Sequence, residues 1–347
     1  MEQAEIEKYS TGSIFVTAVR KMKFCGKRVK GQCPLRGLGQ GPNVFFEKEG
    51  AMKGYLMQMQ PFSVNDGDGI RTTIFLAGCP LHCKWCSNPE GMHQNPLVGF
   101  YPRLCIGCGA CAKACPQGIG INMNLERETC TGCGACVKAC PTGARKQLVS
   151  IADTNEILSQ AKKHHLFYRE SGGGITFSGG EATMQHEVLD ELSEKFYDLG
   201  FSLDIETCGN FDFDETLPIL KRMDLIFMDL KHMDSEQHRK FTGVSNERIL
   251  ENMKRLGETG AQIVIRIPVI EGVNADDENI RRSGEFVKKY LPEAQMELLP
   301  YHKFGFGKYE ALGMELPQAD FARPTEERME HLRGILRGLG IELADFR

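Results

Sequence analysis

No stretch of this 347-residue chain approaches the ~18 consecutive apolar residues that a membrane-crossing helix needs, so no spanning segment is expected. The chain opens MEQAEIEKYS, acidic where a secretory leader would be basic, which argues against export and for the cytoplasm. A strong charge of either sign is also missing. The net charge of −4 predicts no general affinity for nucleic acid or for acidic membranes. Disulfide-like spacing is absent too: most of the fourteen cysteines sit a few residues apart, as cluster ligands do, which points to a reducing compartment. What remains is an ordinary globular composition, 41% hydrophobic, long enough for about two domains and a sizeable core.

The most informative run is GCPLHCKWCSNPEG, in which Cys79, Cys83 and Cys86 spell CxxxCxxC. Three thiolates with no obvious fourth protein ligand suit an iron-sulfur cluster that keeps one iron open to a substrate or cofactor. A Cys3His structural zinc using His82 or His93 is the alternative reading of this loop alone. Further on, Cys105, Cys108, Cys111 and Cys115 precede Pro116, and Cys130, Cys133, Cys136 and Cys140 precede Pro141. Both runs spell CxxCxxCxxxCP, the pattern of bacterial two-cluster ferredoxins, in which the fourth Cys of each run ligates the other cluster. This assigns Cys105, Cys108, Cys111 and Cys140 to one 4Fe-4S cluster, and Cys130, Cys133, Cys136 and Cys115 to a second. Tandem zinc sites would need neither the third Cys at this spacing nor the trailing Pro.

Residues 1–51 differ from the rest, being basic from Arg20 to Arg36 and crowded with Gly and Pro from Gly31 to Pro42. They are expected to form a loosely ordered extension, with Cys25 and Cys33 as free thiols and Met52 as a candidate native start. From Arg71 apolar β-rich runs alternate with amphipathic helices, the signature of repeated βα units on a parallel sheet. Strands are expected at TTIFLAG from Thr72, GITFSG from Gly174, FSLDIET from Phe201, LIFMDLK from Leu225, QIVIRIPVI from Gln262 and AQMELLPY from Ala294. One helix should start at Asp153, with Glu156 completing a capping box, and another should run from Gln185 to Leu199 and stop at Gly200. The fold class expected is therefore α/β, a partial (β/α)6 TIM-like barrel built from residues 52–95 and 149–347. A ferredoxin-like domain, residues 96–148, interrupts it after the first strand. The polar motifs fall at strand ends: the Cys79 loop, Ser178–Glu181, Glu206–Thr207, Asp229–Lys231, Arg266 with Gly272 and Asn274 beyond it, and His302. In a parallel barrel these ends open on one face, where such enzymes assemble their sites.

These residues resemble the radical S-adenosylmethionine enzymes and, within them, the activating enzymes of glycyl radical enzymes. The likeness runs from about Phe62 to the C-terminus. It is carried by the three-cysteine loop, the GGE ending at Glu181, the DLK ending at Lys231, the LPYH ending at His302 and the turn DGDGIRTTIF. The paired ferredoxin runs are similar to the subclass serving decarboxylases, C–N lyases, dehydratases and fumarate-adding enzymes. The resemblance implies that the open iron chelates S-adenosylmethionine and that one electron breaks its S–C5′ bond, giving methionine and a 5′-deoxyadenosyl radical. That radical would take a hydrogen from a glycine of the partner enzyme.

The same resemblance implies three 4Fe-4S clusters, a flavodoxin or ferredoxin as electron donor and a monomer. It places the cofactor among Trp85, Cys86, Ser87, Asn88, Gly179, Gly180, Glu206, Asp229, Leu230, Lys231, Arg266 and His302. Trp85 would face the adenine and the glycine pair the methionyl group. Arg266 or Lys231 would oppose the carboxylate, His302 would meet the ribose, and Glu206 with Asp229 would help hold a monovalent cation. Arg266 and Lys231 could equally form strand-end ion pairs, Trp85 could be a core residue, and His302 could be structural. The chain departs from the family pattern at Asp68, where Pro is usual, at Glu271, where PGxN is usual, and at Glu206, which replaces a shorter Asp. Cys208 is read as a free thiol. Two other functions stay open: a radical enzyme acting on a small molecule or peptide, disfavoured because no Cys follows Cys208, and a ferredoxin-like electron carrier.

Overall fold

The computed structural model describes residues 50–317, 321–344 and 346. The expected N-terminal extension up to residue 49, with Cys25 and Cys33, lies outside the described residues. Among those described, no helix is long and apolar enough to cross a membrane.

Among the described residues nine strands form one mixed sheet: β1 Lys53–Ser63, β2 Arg71–Leu76, β3 Leu97–Phe100, β4 Arg145–Asp153, β5 Gly174–Gly179, β6 Ser202–Thr207, β7 Leu225–Asp229, β8 Ile263–Val269 and β9 Gln295–Pro300. Their order is β3-β4-β1-β2-β5-β6-β7-β8-β9. The six strands from β2 to β9 run parallel and coincide with the six expected from the sequence. Five of the six β5 residues are buried, as are six of the seven in β8. Such near-continuous burial is what a parallel strand covered on both faces shows. The sequence did not mark three strands. β1 pairs antiparallel with β2, β4 pairs antiparallel with β1, and β3 pairs antiparallel with β4. β1 was missed because its polar residues, Gln58 and Gln60 among them, mask the pattern of a strand that is only half covered.

Helices cover the sheet as the local signals require. Thr154–Lys162 starts at Asp153, whose carboxylate accepts from Asn155 N at 2.8 Å while Glu156 reaches back to the Asp153 N–H, the expected capping box. His186–Asp198 buries Val188, Leu189, Leu192 and Phe196 and ends just before Gly200. These side chains join Ile74, Leu76, Ile175, Phe177, Leu203 and Ile205 in the main core.

At the opposite end of the sheet from the polar strand ends, the turn preceding β2 seats a charge in this core. Arg71 is fully buried and pairs with Asp204 of β6 at 3.1 Å. Its Nε donates to Thr176 Oγ1 at 2.7 Å and its Nη2 to the Ile175 carbonyl at 2.7 Å. Asp68, the departure from the family turn, gives its carbonyl to Nη1 at 3.2 Å, so the turn keeps its hold on Arg71 without the Pro.

Residues between β3 and β4 carry the eight ferredoxin-type cysteines, with one short helix per run, Ala110–Ala114 and Ala135–Ala139. β4 crosses the expected segment boundary at 148 and continues the main sheet.

Candidate active site

The Cys79 loop leaves the C-terminal end of β2 and is pinned by its backbone. Gly78 N donates to the Gly91 carbonyl at 2.8 Å, His82 N to Thr242 O at 2.7 Å and Lys84 N to Phe241 O at 3.0 Å. Trp85 is buried among Phe241, Ile270, Tyr301 and Phe321, a cluster that Cys83 borders. Its ring lies 6.2 Å from that of Phe241 and 6.3 Å from that of Phe321, so Trp85 anchors the loop by packing. Helix Phe306–Leu312, whose Phe306 packs against the same cluster, also clamps the loop. Lys308 Nζ donates to Asn88 Oδ1 at 2.7 Å and to Glu90 Oε1 at 2.5 Å, Tyr309 Oη donates to the Cys86 carbonyl at 2.8 Å, and Gly305 sits against the Ser87 backbone. This clamp is not marked in the sequence, because FGKYEAL reads as an ordinary short helix.

Thiol chemistry at the loop fits metal ligation. A hydrogen bond with Cys208 draws the Cys79 thiol below its ordinary range, whereas burial pushes Cys83 up and Cys86 up to about 11. Buried thiols of this kind stay protonated unless a metal takes the proton's place. The histidines of the zinc reading are both exposed, with rings 6.2 Å from each other. Cys79, Cys83 and Cys86, all half-buried, are the thiols this loop offers as a donor set.

The remaining strand ends form a connected polar floor. Ser178 Oγ donates to Glu206 Oε2 at 2.5 Å, and Arg266 bridges Glu206 to Glu297, the latter at 2.8 Å. The Arg266 guanidinium also lies 3.6 Å from the Phe227 ring centroid and donates to the Asn65 carbonyl at 3.1 Å. Burial lifts the Glu206 carboxyl, with Arg266 pulling the other way. Lys231 Nζ meets Asp229 Oδ2 at 2.5 Å; burial alone would lower this lysine, and the Asp229 charge holds it above its usual value. Both cations thus stand in ion pairs in this structure. Leu230 is buried, its N–H bonded to the Arg266 carbonyl at 2.9 Å. Asn274 Nδ2 ties the Lys231 carbonyl to that of Pro268, both at 2.8 Å. Exposed His302 stacks on Phe304, ring centroids 4.4 Å apart. Glu297 was not foreseen. A lone acid at an inward position of the apolar β9 run was the signal that could have found it.

Gly179 and Gly180 are small for a reason internal to the protein. A Cβ on Gly179 would come within 2.0 Å of the Leu76 carbonyl, and one on Gly180 within 2.3 Å of Gly91 O, so the pair lets β5 press against the cysteine loop. Their neighbour Glu181 is buried and accepts from Thr183 Oγ1 at 2.8 Å, Thr207 Oγ1 at 2.9 Å and Cys208 N at 2.6 Å, joining the ends of β5 and β6. Glu181→Ala is expected to strand these buried donors and cost about 3 kcal/mol, at about 1–3 kcal/mol per orphaned group. Glu181→Gln should cost less. Urea midpoints of the two variants against the parent measure this, and equal midpoints for Ala and parent would refute it.

The eight other cysteines surround two clefts of about 380 and 300 Å³, open mouths included. Cys111, Cys115, Cys130, Cys133 and Cys136 line the larger. Cys105, Cys108, Cys111 and Cys140 line the smaller. A slight desolvation raises the Cys140 thiol, but the Thr142 hydroxyl and the backbone N–H groups of Thr142, Arg145 and Ala144 draw it down to about 7, favouring the thiolate.

Residues 73–283, which span the cysteine loop and the strand ends through β8, match the model of the radical SAM superfamily. The chain belongs to that superfamily. Among curated proteins, this radical SAM chain is 36% identical over 295 residues to the choline trimethylamine-lyase activating enzyme of Oleidesulfovibrio alaskensis, covering 82% of this chain and 95% of that one. It is 38% identical over 291 residues to the trans-4-hydroxy-L-proline dehydratase activating enzyme of Clostridioides difficile, covering 82% and 96%. It is 40% identical over 293 residues to the (2S)-3-sulfopropanediol sulfolyase activating enzyme of Bilophila wadsworthia, also covering 82% and 96%.

Proposed function

We propose that this protein activates a partner glycyl radical enzyme. It is an activating enzyme, and the observation that carries this is its 36–40% identity, over nearly the whole length of those relatives, to activating enzymes of a lyase, a dehydratase and a sulfolyase. A 4Fe-4S cluster held by Cys79, Cys83 and Cys86 would supply reductive cleavage of S-adenosylmethionine, the chemistry that would let a hydrogen atom be taken from the partner's glycine.

The chain's own residues hold and screen that event. Cys79, Cys83 and Cys86 would bind the cluster, and the clamp of Lys308 and Tyr309 fixes the loop on which they sit. Asp229, Lys231, Glu206 and Arg266 would meet the charged ends of the cofactor, exchanging their present ion pairs for contacts with its amino and carboxylate groups. Glu206 and Asp229 would share a monovalent cation. Trp85, Ser87, Asn88, Leu230 and His302 would complete the site, with the Trp85 cluster excluding water.

The parallel strands are read as a partial (β/α)6 barrel, and the segment between β3 and β4 as a ferredoxin-like domain holding two further 4Fe-4S clusters, supported by the grouping of its cysteines around two clefts. On this reading the protein is of the subclass with a two-cluster insert, receives electrons from a flavodoxin or ferredoxin in the cytoplasm and acts as a monomer. The test is to mix it, without oxygen, with S-adenosylmethionine, a reductant and candidate glycyl radical enzymes from the same genome. A doublet in the electron spin resonance spectrum is expected, lost when the partner's radical-bearing glycine becomes Ala. Cofactor cleavage without a doublet would favour action on a small molecule instead.

A further inference from the structure

Two residues, Cys111 and Arg145, line both cysteine clefts and so form the wall between them. Arg145 opens β4 and is 3% exposed. Its guanidinium carbon lies 4.4 Å from the Phe100 ring centroid, which covers one face. Its Nη2 donates to the carbonyls of Ile121 at 2.5 Å and Gly120 at 3.3 Å, and lies 3.7 Å from Cys111 Sγ. Its Nε and Nη1 are buried with no partner in the protein. Among the described residues Arg145 forms no ion pair with a carboxylate, and Val98, Phe100, Ile119, Met123 and Ala144 make its surroundings apolar. A buried cation with two unmet donors is costly unless an anion belongs beside it.

We infer that Arg145 is a shared counter-cation of two iron-sulfur clusters, directing its Nε–H and Nη1–H toward their sulfurs and holding both reduction potentials up. The inference rests on the two clefts holding clusters. Each reduction adds negative charge, so a fixed positive charge and N–H donors at the common wall stabilise the reduced forms more than the oxidised ones. Water cannot screen this charge, unlike that of its neighbour Lys146, which is exposed and sits over the Tyr101 ring.

The experiment uses the full chain with Cys79, Cys83 and Cys86 replaced by Ala, so that only the two auxiliary centres contribute, titrated potentiometrically by electron spin resonance. Arg145→Gln is expected to lower both midpoints by at least a tenfold change in the reduction equilibrium, about 59 mV for a one-electron couple. Arg145→Lys should restore most of the shift, and Lys146→Gln should cause none. Unchanged midpoints in Arg145→Gln with its iron retained, or a shift of one centre only, would overturn the inference. If Arg145→Gln takes up no auxiliary iron, Arg145→Lys decides. Full iron at near-parental potentials supports the charge role, and loss of iron there overturns it. Absence of auxiliary iron in the parent would instead refute the cluster reading beneath it.

Discussion

Replacing Cys79, Cys83 and Cys86 together by Ala is expected to reduce glycyl radical formation below detection while leaving about eight of about twelve irons bound. The three thiols lie on one loop at the end of β2, whereas the other eight lie between β3 and β4 in clefts of their own. Loss of the loop cluster should therefore spare the others. Cys86→Ala alone should suffice for the functional loss, because it removes one of the three thiols while leaving the backbone carbonyl that Tyr309 holds, and so the loop's anchorage, intact. Iron analysis and the resonance doublet measure the two halves of the prediction. Stoichiometric zinc without iron in anaerobically purified protein would defeat it, and so would a doublet persisting in the triple variant.

Arg71→Met should be the most destabilising single change in the parallel strands, at about 3–5 kcal/mol, because it leaves Asp204 buried without its cation. Burial pushes the Asp204 carboxyl up to about 7 even with Arg71 pulling it down. An unfolded Asp titrates near ~3.9, so on raising the pH the unfolded chain releases this proton first, and the contribution of Asp204 to stability falls between about pH 4 and 7. Without Arg71 the folded value moves higher still. The deficit of Arg71→Met should therefore be larger at pH 8 than at pH 6, and Asp204→Asn in the same chain should recover part of it. Unfolding midpoints of the single and double variants at both pH values provide the check; a pH-independent deficit would show that Arg71 acts through its hydrogen bonds to Thr176 and Ile175 alone.

The six parallel strands were legible because burial on both faces leaves continuous apolar runs that turn residues interrupt, as in GITFSG and QIVIRIPVI. The helix caps were legible because Asp153 and Glu156 act within one turn. β3 and β4 were not, since short strands beside cysteine loops carry little periodicity and gain their partners only from the tertiary fold. The motifs located the cysteine loop, Asp229 and Lys231. Contacts that depend on distant parts of the chain stayed hidden: Glu297 behind Arg266, Glu181 under Cys208, and the Lys308 clamp more than two hundred residues from Asn88. The glycine pair shows the same limit: the sequence singled it out for an approach to the cofactor, while the backbone it presses against within the protein could not be read from one sequence.

The helix Phe306–Leu312 has a second set of partners. Its Ala311 carbonyl accepts from Arg127 Nη2 at 2.9 Å and its Glu310 carbonyl from Asn124 Nδ2 at 3.3 Å, both donors belonging to the cysteine-rich segment between β3 and β4. The helix that grips the Cys86 loop therefore stands with one foot on that segment. Excising the segment would remove a footing as well as its thiols, so a deletion would undermine the loop mechanically and report nothing about electron flow. Point changes such as Cys108→Ala with Cys133→Ala, at exposed positions that make neither of these two bonds, leave the foundation in place.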